Sequence, residues 1–208
     1  GLTTSFRLLP GTTPASGSDL AVAGIRYHTD QPGFQLANFA QGGKGIDYFL
    51  DGADNNLDDF INMTDTNMAY IWIGQNEQGK YNPAQFKQKM QDLIARYKQA
   101  RSDMQLVLVS TYDTGGVNLP GYAQSLYEIA QQDPSVLFLN LFQSAGNFGY
   151  LDANYLFDHV HENAAGNVYM AQQTQSLLAL AASQAVPEPS SALAMIGAAG
   201  WIWSRRRR

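Results

Sequence analysis

Three stretches of the chain are almost uninterruptedly apolar: NMAYIWIG at residues 67–74, MQLVLVS at 104–110 and VLFLNLF at 136–142. Runs of this length, closed by turn residues, predict strands buried on both faces. A shorter run, FQLANF at 34–39, is stopped by QGGKG and reads as a further strand. Helical spacing alternates with these runs. Within PAQFKQKMQDLIARYKQAR (83–101), Phe86, Met90, Leu93, Ile94 and Tyr97 form one apolar stripe, with Pro83 suited to a first helical turn. PGYAQSLYEIAQQD (120–133) predicts a shorter helix and NAAGNVYMAQQTQSLLALAAS (163–183) a long one. Buried-type strands alternating with helices predict an α/β fold, a parallel sheet with helices on both faces. In such sheets ligands bind beyond the carboxyl ends of the strands, so the loops after the strands are where chemistry is expected.

The ends of the chain break this rhythm. PGTTPASGSD (10–19) reads as loop. After residue 183, QAVPEPSS reads as a linker, followed by the apolar run ALAMIGAAGWIW and then Arg205 to Arg208. The boundaries expected are therefore a domain at 1–183 and a linker with a terminal segment at 184–208. The apolar run is short of the roughly twenty residues that span a bilayer. Apolar residues followed by a basic cluster nevertheless read as a membrane-addressed tail.

Composition narrows the options. Among 208 residues, 45% are hydrophobic and 15% charged, enough for one globular domain with a sizeable core. Net charge is −5, and four of the 13 basic residues are the terminal arginines, which leaves nine against 18 acidic ones. That balance excludes a nucleic-acid partner, which needs a basic face. The absence of cysteine excludes disulfides, thiolate zinc sites and a cysteine nucleophile.

Candidate chemistry falls in the expected loops. Gly42 and Gly43 follow the first run; on their own they read more simply as a plain turn. Asn76 follows the 67–74 strand in GQNEQG and has a side-chain N–H to offer an anion, or else an Asx turn to make. FDHVHENAAG puts Asp158 and His161 three apart before the long helix. A tight turn there brings the carboxylate to His161 Nδ1 and leaves Nε2 free to take a proton. The alternative is that Asp158 or Asn163 merely caps the helix. A zinc reading of His159 and His161 lacks a further ligand at any recognisable spacing, so no metal and no cofactor is expected, and His159 is a bystander.

These motifs together, in this order, resemble those of the SGNH hydrolase superfamily, the GDSL-type esterases and lipases. The matching blocks are NFAQGG at 38–43, GQN at 74–76 and DHVH at 158–161. The resemblance implies a three-layer α/β/α sandwich with a flavodoxin-like parallel sheet. It also implies a serine esterase in which His161 is the general base, Asp158 orients it, and Gly43 N–H and Asn76 form the oxyanion hole. The third block usually ends in Asp where this chain has Glu77, and the histidine is often followed by Pro where this chain has Glu162. The nucleophile is missing: no Gly-Asp-Ser block occurs. Ser18 in GSDL has scrambled order, and Thr3, Thr12 and Thr13 lack a suitable strand before them. The chain starts with Gly1, so the first strand, the Ser block and a signal peptide are expected upstream, and the chain as it stands is expected to be inactive. The competing expectation is a relative that retains the fold for polysaccharide binding or matrix structure without cleavage.

The tail, VPEPSSALAMIGAAGWIWSRRRR (186–208), resembles the PEP-CTERM sorting signal. That implies export in a Gram-negative bacterium, transient anchoring and processing by an exosortase-type enzyme. The partners expected are thus a small ester or acylated carbohydrate and that processing enzyme, with the mature protein monomeric and outside the cytoplasmic membrane.

Overall fold

The computed structural model of the chain describes residues 37–51 and 57–184. The chain divides into a segment Gly1–Asn38 and a body Phe39–Arg208, and the architecture below is that of the body. The 10–19 loop, residues 34–36 and the 186–208 tail lie outside the described residues, as do Thr3, Thr12, Thr13 and Ser18.

The three long apolar runs form the strands β1 (Met68–Trp72), β2 (Gln105–Val109) and β3 (Val136–Leu139). They pair in parallel in the order β1-β2-β3, with Ile71 opposite Leu108 and Leu108 opposite Phe138. Alternation along β2 divides the core. Leu106 and Leu108 point into one cluster, with Ala69, Ile71, Phe86, Met90 and Leu93. Val107 and Val109 point into the other, with Leu139, Leu151 and Met170. Period-two alternation on a sheet buried from both sides is the physical basis of a three-layer α/β/α sandwich.

The first layer holds α1 (Ile46–Leu50), α2 (Leu57–Thr64), α3 (Pro83–Ala100) and α4 (Leu119–Gln132). α3 follows its sequence pattern: Phe86, Met90, Leu93 and Ile94 are buried and Tyr97 is half-buried. Asn82 and Gln85 form a capping box at its start, where Pro83 begins the first turn. Such a cap contributes about 1 kcal/mol. The second layer holds α5 (Leu141–Ser144), α6 (Phe148–Asn154) and α7 (Ala164–Gln184).

Two expectations about strands are corrected. The 136–142 run is strand only to Leu139. Asn140 accepts a hydrogen bond from Gln143 N–H (3.1 Å), and this cap turns the remaining apolar residues into α5. Residues 37–41, the described part of the 34–39 run and the residues just beyond it, are irregular rather than strand. No helix among the described residues is long and apolar enough to cross a membrane.

Candidate active site

At the carboxyl end of β1 the chain enters a 3-10 turn, Gln75–Glu77, which carries Asn76 on the surface. Lys44 and Gly45, directly after Gly42 and Gly43 in the chain, lie against it. Gly43 has φ +71, a left-handed conformation that favours glycine, whereas Gly42 is not in that region. Among the described residues no hydrogen bond engages the Gly43 N–H. Asn76 Nδ2 donates to Lys44 O (2.9 Å), which fixes the orientation of the amide, and among the described residues its second N–H hydrogen meets no acceptor. Glu77 is buried, and its Oε1 accepts from Ile46 N–H at 2.6 Å. Burial raises its carboxyl above the usual range, while the N–H groups of Ile46, Glu77 and Gly74 pull it down and the negative charge of Asp47 pushes it up.

Packing of α1 on α3 brings these two turns together. Asp47 of α1 accepts from Lys80, from Lys89 (2.7 Å) and from the Tyr81 hydroxyl (2.5 Å). Burial works against ionisation of this carboxyl, yet its three donors hold it well below the usual range. Arg96 of α3 donates to Phe49 O at the other end of α1 (2.5 Å).

The second group of residues lies between α6 and α7. Asp158 Oδ1 accepts from the N–H groups of Val160 (3.1 Å) and His161 (2.7 Å), and Oδ2 lies 2.8 Å from His161 Nδ1. The His161 N–H and imidazole hold the Asp158 carboxyl down to about 2. Phe157 N–H donates to His161 O (3.0 Å), Leu156 bridges Glu162, and the Phe157 ring stacks on the imidazole at 5.8 Å between centroids. Asn163 caps α7 by accepting from Gly166 N–H (2.9 Å), so Asp158 is not the helix cap. His161 and Asp158 are both exposed, with side-chain accessibilities of 68% and 42%. His159 has φ +69 and turns to a different carboxylate, with its Nδ1 2.7 Å from Asp152 Oδ1. Among the described residues no three His, Asp or Glu side chains come together in a form that could hold a metal ion.

Residues at the end of β2 brace both groups. Thr114 Oγ1 donates to Gln75 Oε1 (3.0 Å), next to Asn76. The buried Tyr112 stacks edge-on against Trp72, at 6.2 Å between centroids, and its hydroxyl donates to Val160 O (2.6 Å), next to His161. Burial and the nearby Glu162 carboxylate push the Tyr112 phenol above its usual range, so it remains a donor. Composition and spacing did not single out Tyr112 or Thr114; their only signal was position, directly after a strand. A groove of about 410 Å³ between α4 and α5, lined by residues including Tyr127 and Phe142, contains neither Asp158 nor His161.

A parallel sheet between two helical layers, with polar turns at the carboxyl ends of its strands, puts the protein in the class of three-layer α/β/α proteins with the SGNH hydrolase fold. The chain belongs to the GDSL-like lipase/acylhydrolase family, whose model matches residues 10–174, and the family is one of ester hydrolases. Residues 185–208 match the PEP-CTERM protein-sorting motif, which marks a protein for export and exosortase-type processing. Among solved structures, the chain is similar to a carbohydrate esterase family 3 protein from Talaromyces cellulolyticus, at 18% identity and TM-score 0.54, covering 66% of this chain and 68% of that one. It is also similar to a family 3 carbohydrate esterase from Clostridium thermocellum, at 16% identity and TM-score 0.50, covering 66% and 69%. A GDSL-like lipase from Parabacteroides merdae matches at 14% identity and TM-score 0.53, covering 66% and 70%. No match was found among curated proteins.

Proposed function

We propose that the protein is an exported serine esterase that hydrolyses carboxylic esters, with acylated carbohydrates as its substrate class. The observation that carries this reading is the Asp158–His161 pair, a carboxylate 2.8 Å from Nδ1 of an exposed imidazole in a family of ester hydrolases. The carboxylate keeps the proton on Nδ1 and leaves Nε2 as the base. His161 takes the proton of a serine hydroxyl as that oxygen attacks the ester carbonyl. The oxyanion that forms accepts hydrogen bonds from Gly43 N–H and from the uncommitted Asn76 N–H. Its collapse expels the alcohol, which receives the proton from His161, and water repeats the sequence on the acyl-enzyme. The carbohydrate part of the proposal draws on two of the similar structures being carbohydrate esterases and on the sorting motif, which directs the chain to where surface polysaccharides lie. We place the mature protein at the surface of a Gram-negative bacterium, as a monomer, after transient anchoring by its tail.

A second reading draws on one fact of sequence: Gly-Asp-Ser does not occur in the 208 residues. In that reading the same fold binds surface polysaccharide without cleaving it. Hydrolysis of a short-chain nitrophenyl ester by the full-length protein separates the two. The esterase reading expects turnover that His161→Ala abolishes; equal rates in both proteins sink it, and no turnover in either favours the binding protein.

A further inference from the structure

Glu77 is the only charged side chain among the described residues that is wholly buried, at 1% exposure. Burying a carboxyl is costly unless its position demands it. Two features specify what this one does. First, α1 is a five-residue helix that starts after Gly45 without any side-chain cap of its own. The first N–H groups of a helix need acceptors, and the one on Ile46 finds Glu77 Oε1, 31 residues away in sequence, at 2.6 Å. Second, a Cβ on residue 45 would overlap that same oxygen, so glycine at this position is what admits the carboxyl. The backbone of Glu77 is itself held. Its carbonyl accepts from the Tyr122 hydroxyl of α4 (2.9 Å), from Lys80 N–H (3.0 Å) and from Tyr81 N–H (3.2 Å). The other carboxyl oxygen, Oε2, is buried with no hydrogen-bond partner among the described residues, so the link this side chain makes to another segment is the one from Ile46 N–H to Oε1.

We propose that Glu77 is a positioning residue, a clasp that holds the Gly43–Ile46 turn against the Gln75–Glu77 turn so that Gly43 N–H and Asn76 face the same point. The proposal rests on the esterase reading for what that point binds, and on the structure alone for the clasp. Two links join the turns: Asn76 Nδ2 donates to Lys44 O, and Ile46 N–H donates to Glu77 Oε1, one residue further along the 3-10 turn and two residues further along the other. Loss of the second link leaves the turn held by Asn76 on Lys44 O and, one residue beyond Ile46, by the contacts of Asp47 with Lys80, Lys89 and Tyr81. The requirement is reach and an acceptor rather than charge. Gln keeps both. Asp keeps the charge but is shorter by about 1.5 Å, one carbon–carbon bond, and no longer meets Ile46 N–H.

The experiment compares Glu77→Gln and Glu77→Asp in the full-length protein, with kcat and KM measured separately on a nitrophenyl acetate. Amide hydrogen exchange is followed at Ile46 and, as a core reference, at Leu108. The clasp predicts that Glu77→Asp lowers kcat about a hundredfold, with KM changed by no more than about threefold, the size of effect seen when an oxyanion donor is misplaced. Glu77→Gln stays within about threefold of wild type. Ile46 exchange rises at least about tenfold in Glu77→Asp alone, while Leu108 is unchanged, a local opening rather than a global one. Equal kcat in Glu77→Asp and wild type overturns the proposal, as does equal damage in Gln and Asp. Exchange at Leu108 rising in step with Ile46 also overturns it, because Glu77 would then serve the fold at large. Asn76→Ala is run alongside. If it leaves kcat unchanged, the oxyanion reading fails, and Ile46 exchange decides the clasp by itself.

Discussion

The turn that carries Asn76 and the turn that carries His161 both stand by the carboxyl ends of the strands, yet they are held in different ways. Around Asn76 the links run to residues 31, 32, 39 and 45 positions away: Ile46, Lys44, Thr114 and Tyr122. Around His161 most links close within a few residues: Asp158 to Val160 and His161, Phe157 to His161, Leu156 to Glu162. Tyr112 is the long-range exception. The first turn has a buried carboxyl at its centre, the second an exposed one. One face of the molecule thus combines a locally closed Asp–His hydrogen bond with a turn whose contacts form only once helices have packed. The two turns are therefore expected to fail differently when perturbed.

The largest effect is expected at the locally closed turn. His161→Ala lowers kcat by about 10⁴-fold or more, the loss typical of a missing general base. Its melting temperature stays close to wild type, because an exposed side chain contributes little to stability. Asp158→Asn follows at roughly 10³-fold, with nitrophenyl ester kinetics as the measurement. A melting temperature that falls sharply in His161→Ala would show that the turn is not autonomous.

Asn76→Ala is expected to cost about 10²–10³-fold in kcat, the usual range for one oxyanion donor. It also releases Lys44 O, so exchange at neighbouring amides rises, which distinguishes this turn from the first. Tyr112→Phe probes the one long strut of the His161 turn. It keeps the ring against Trp72 and removes the donor to Val160 O, at a cost of about 1–2 kcal/mol in denaturant unfolding and a loss of kcat of up to about tenfold.

The smallest effects separate the two carboxyls by pH. Asp158 is held below its ordinary 3.8, at about 2. A lowered acid stabilises the folded state above its unfolded value, and that stabilisation is lost as pH falls through the folded one. NMR titration of Asp158 should therefore show the turn intact at pH 4 and loosening near pH 2. Glu77 has the opposite sign. Its carboxyl is raised above 4.5 by burial, so its ionised form costs stability above the raised value, and lowering the pH towards 4.5 relieves that cost. Melting temperatures of wild type and Glu77→Gln should converge as the pH drops, and a constant gap would contradict the raised value.

How much could be read in advance follows from the same contrast. The α3 stripe of Phe86, Met90, Leu93 and Ile94 was legible because 3.6-residue periodicity is a local property. The Asp158–His161 hydrogen bond was legible because a three-residue spacing allows one turn to close it. The long helix begins beside Asn163 as its sequence pattern predicts, and the cap at Asn163 is what separates Asp158 from helix capping. The short helices α1, α2, α5 and α6 were not anticipated. Helices of four to eight residues have too few turns to show a period, and α5 depends on one asparagine cap within an apolar run. Glu77 drew notice only as a departure from the family pattern. Nothing in GQNEQG says that its carboxyl will be buried against Ile46.

The sequence by itself therefore determined the parallel α/β plan, the Asp158–His161 hydrogen bond and the sorting motif at the end of the chain. Each rests on residue types at short spacings, which the chain presents wherever it folds. Only the tertiary structure decided that Lys44 and Ile46 meet Asn76 and Glu77, that Tyr112 supports the His161 turn, and that His159 answers to Asp152. Those contacts depend on α1 packing against α3 and on the register of β1 with β2. Segments more than thirty residues apart are brought to hydrogen-bond distance by burial of their apolar faces, not by any pattern within either segment.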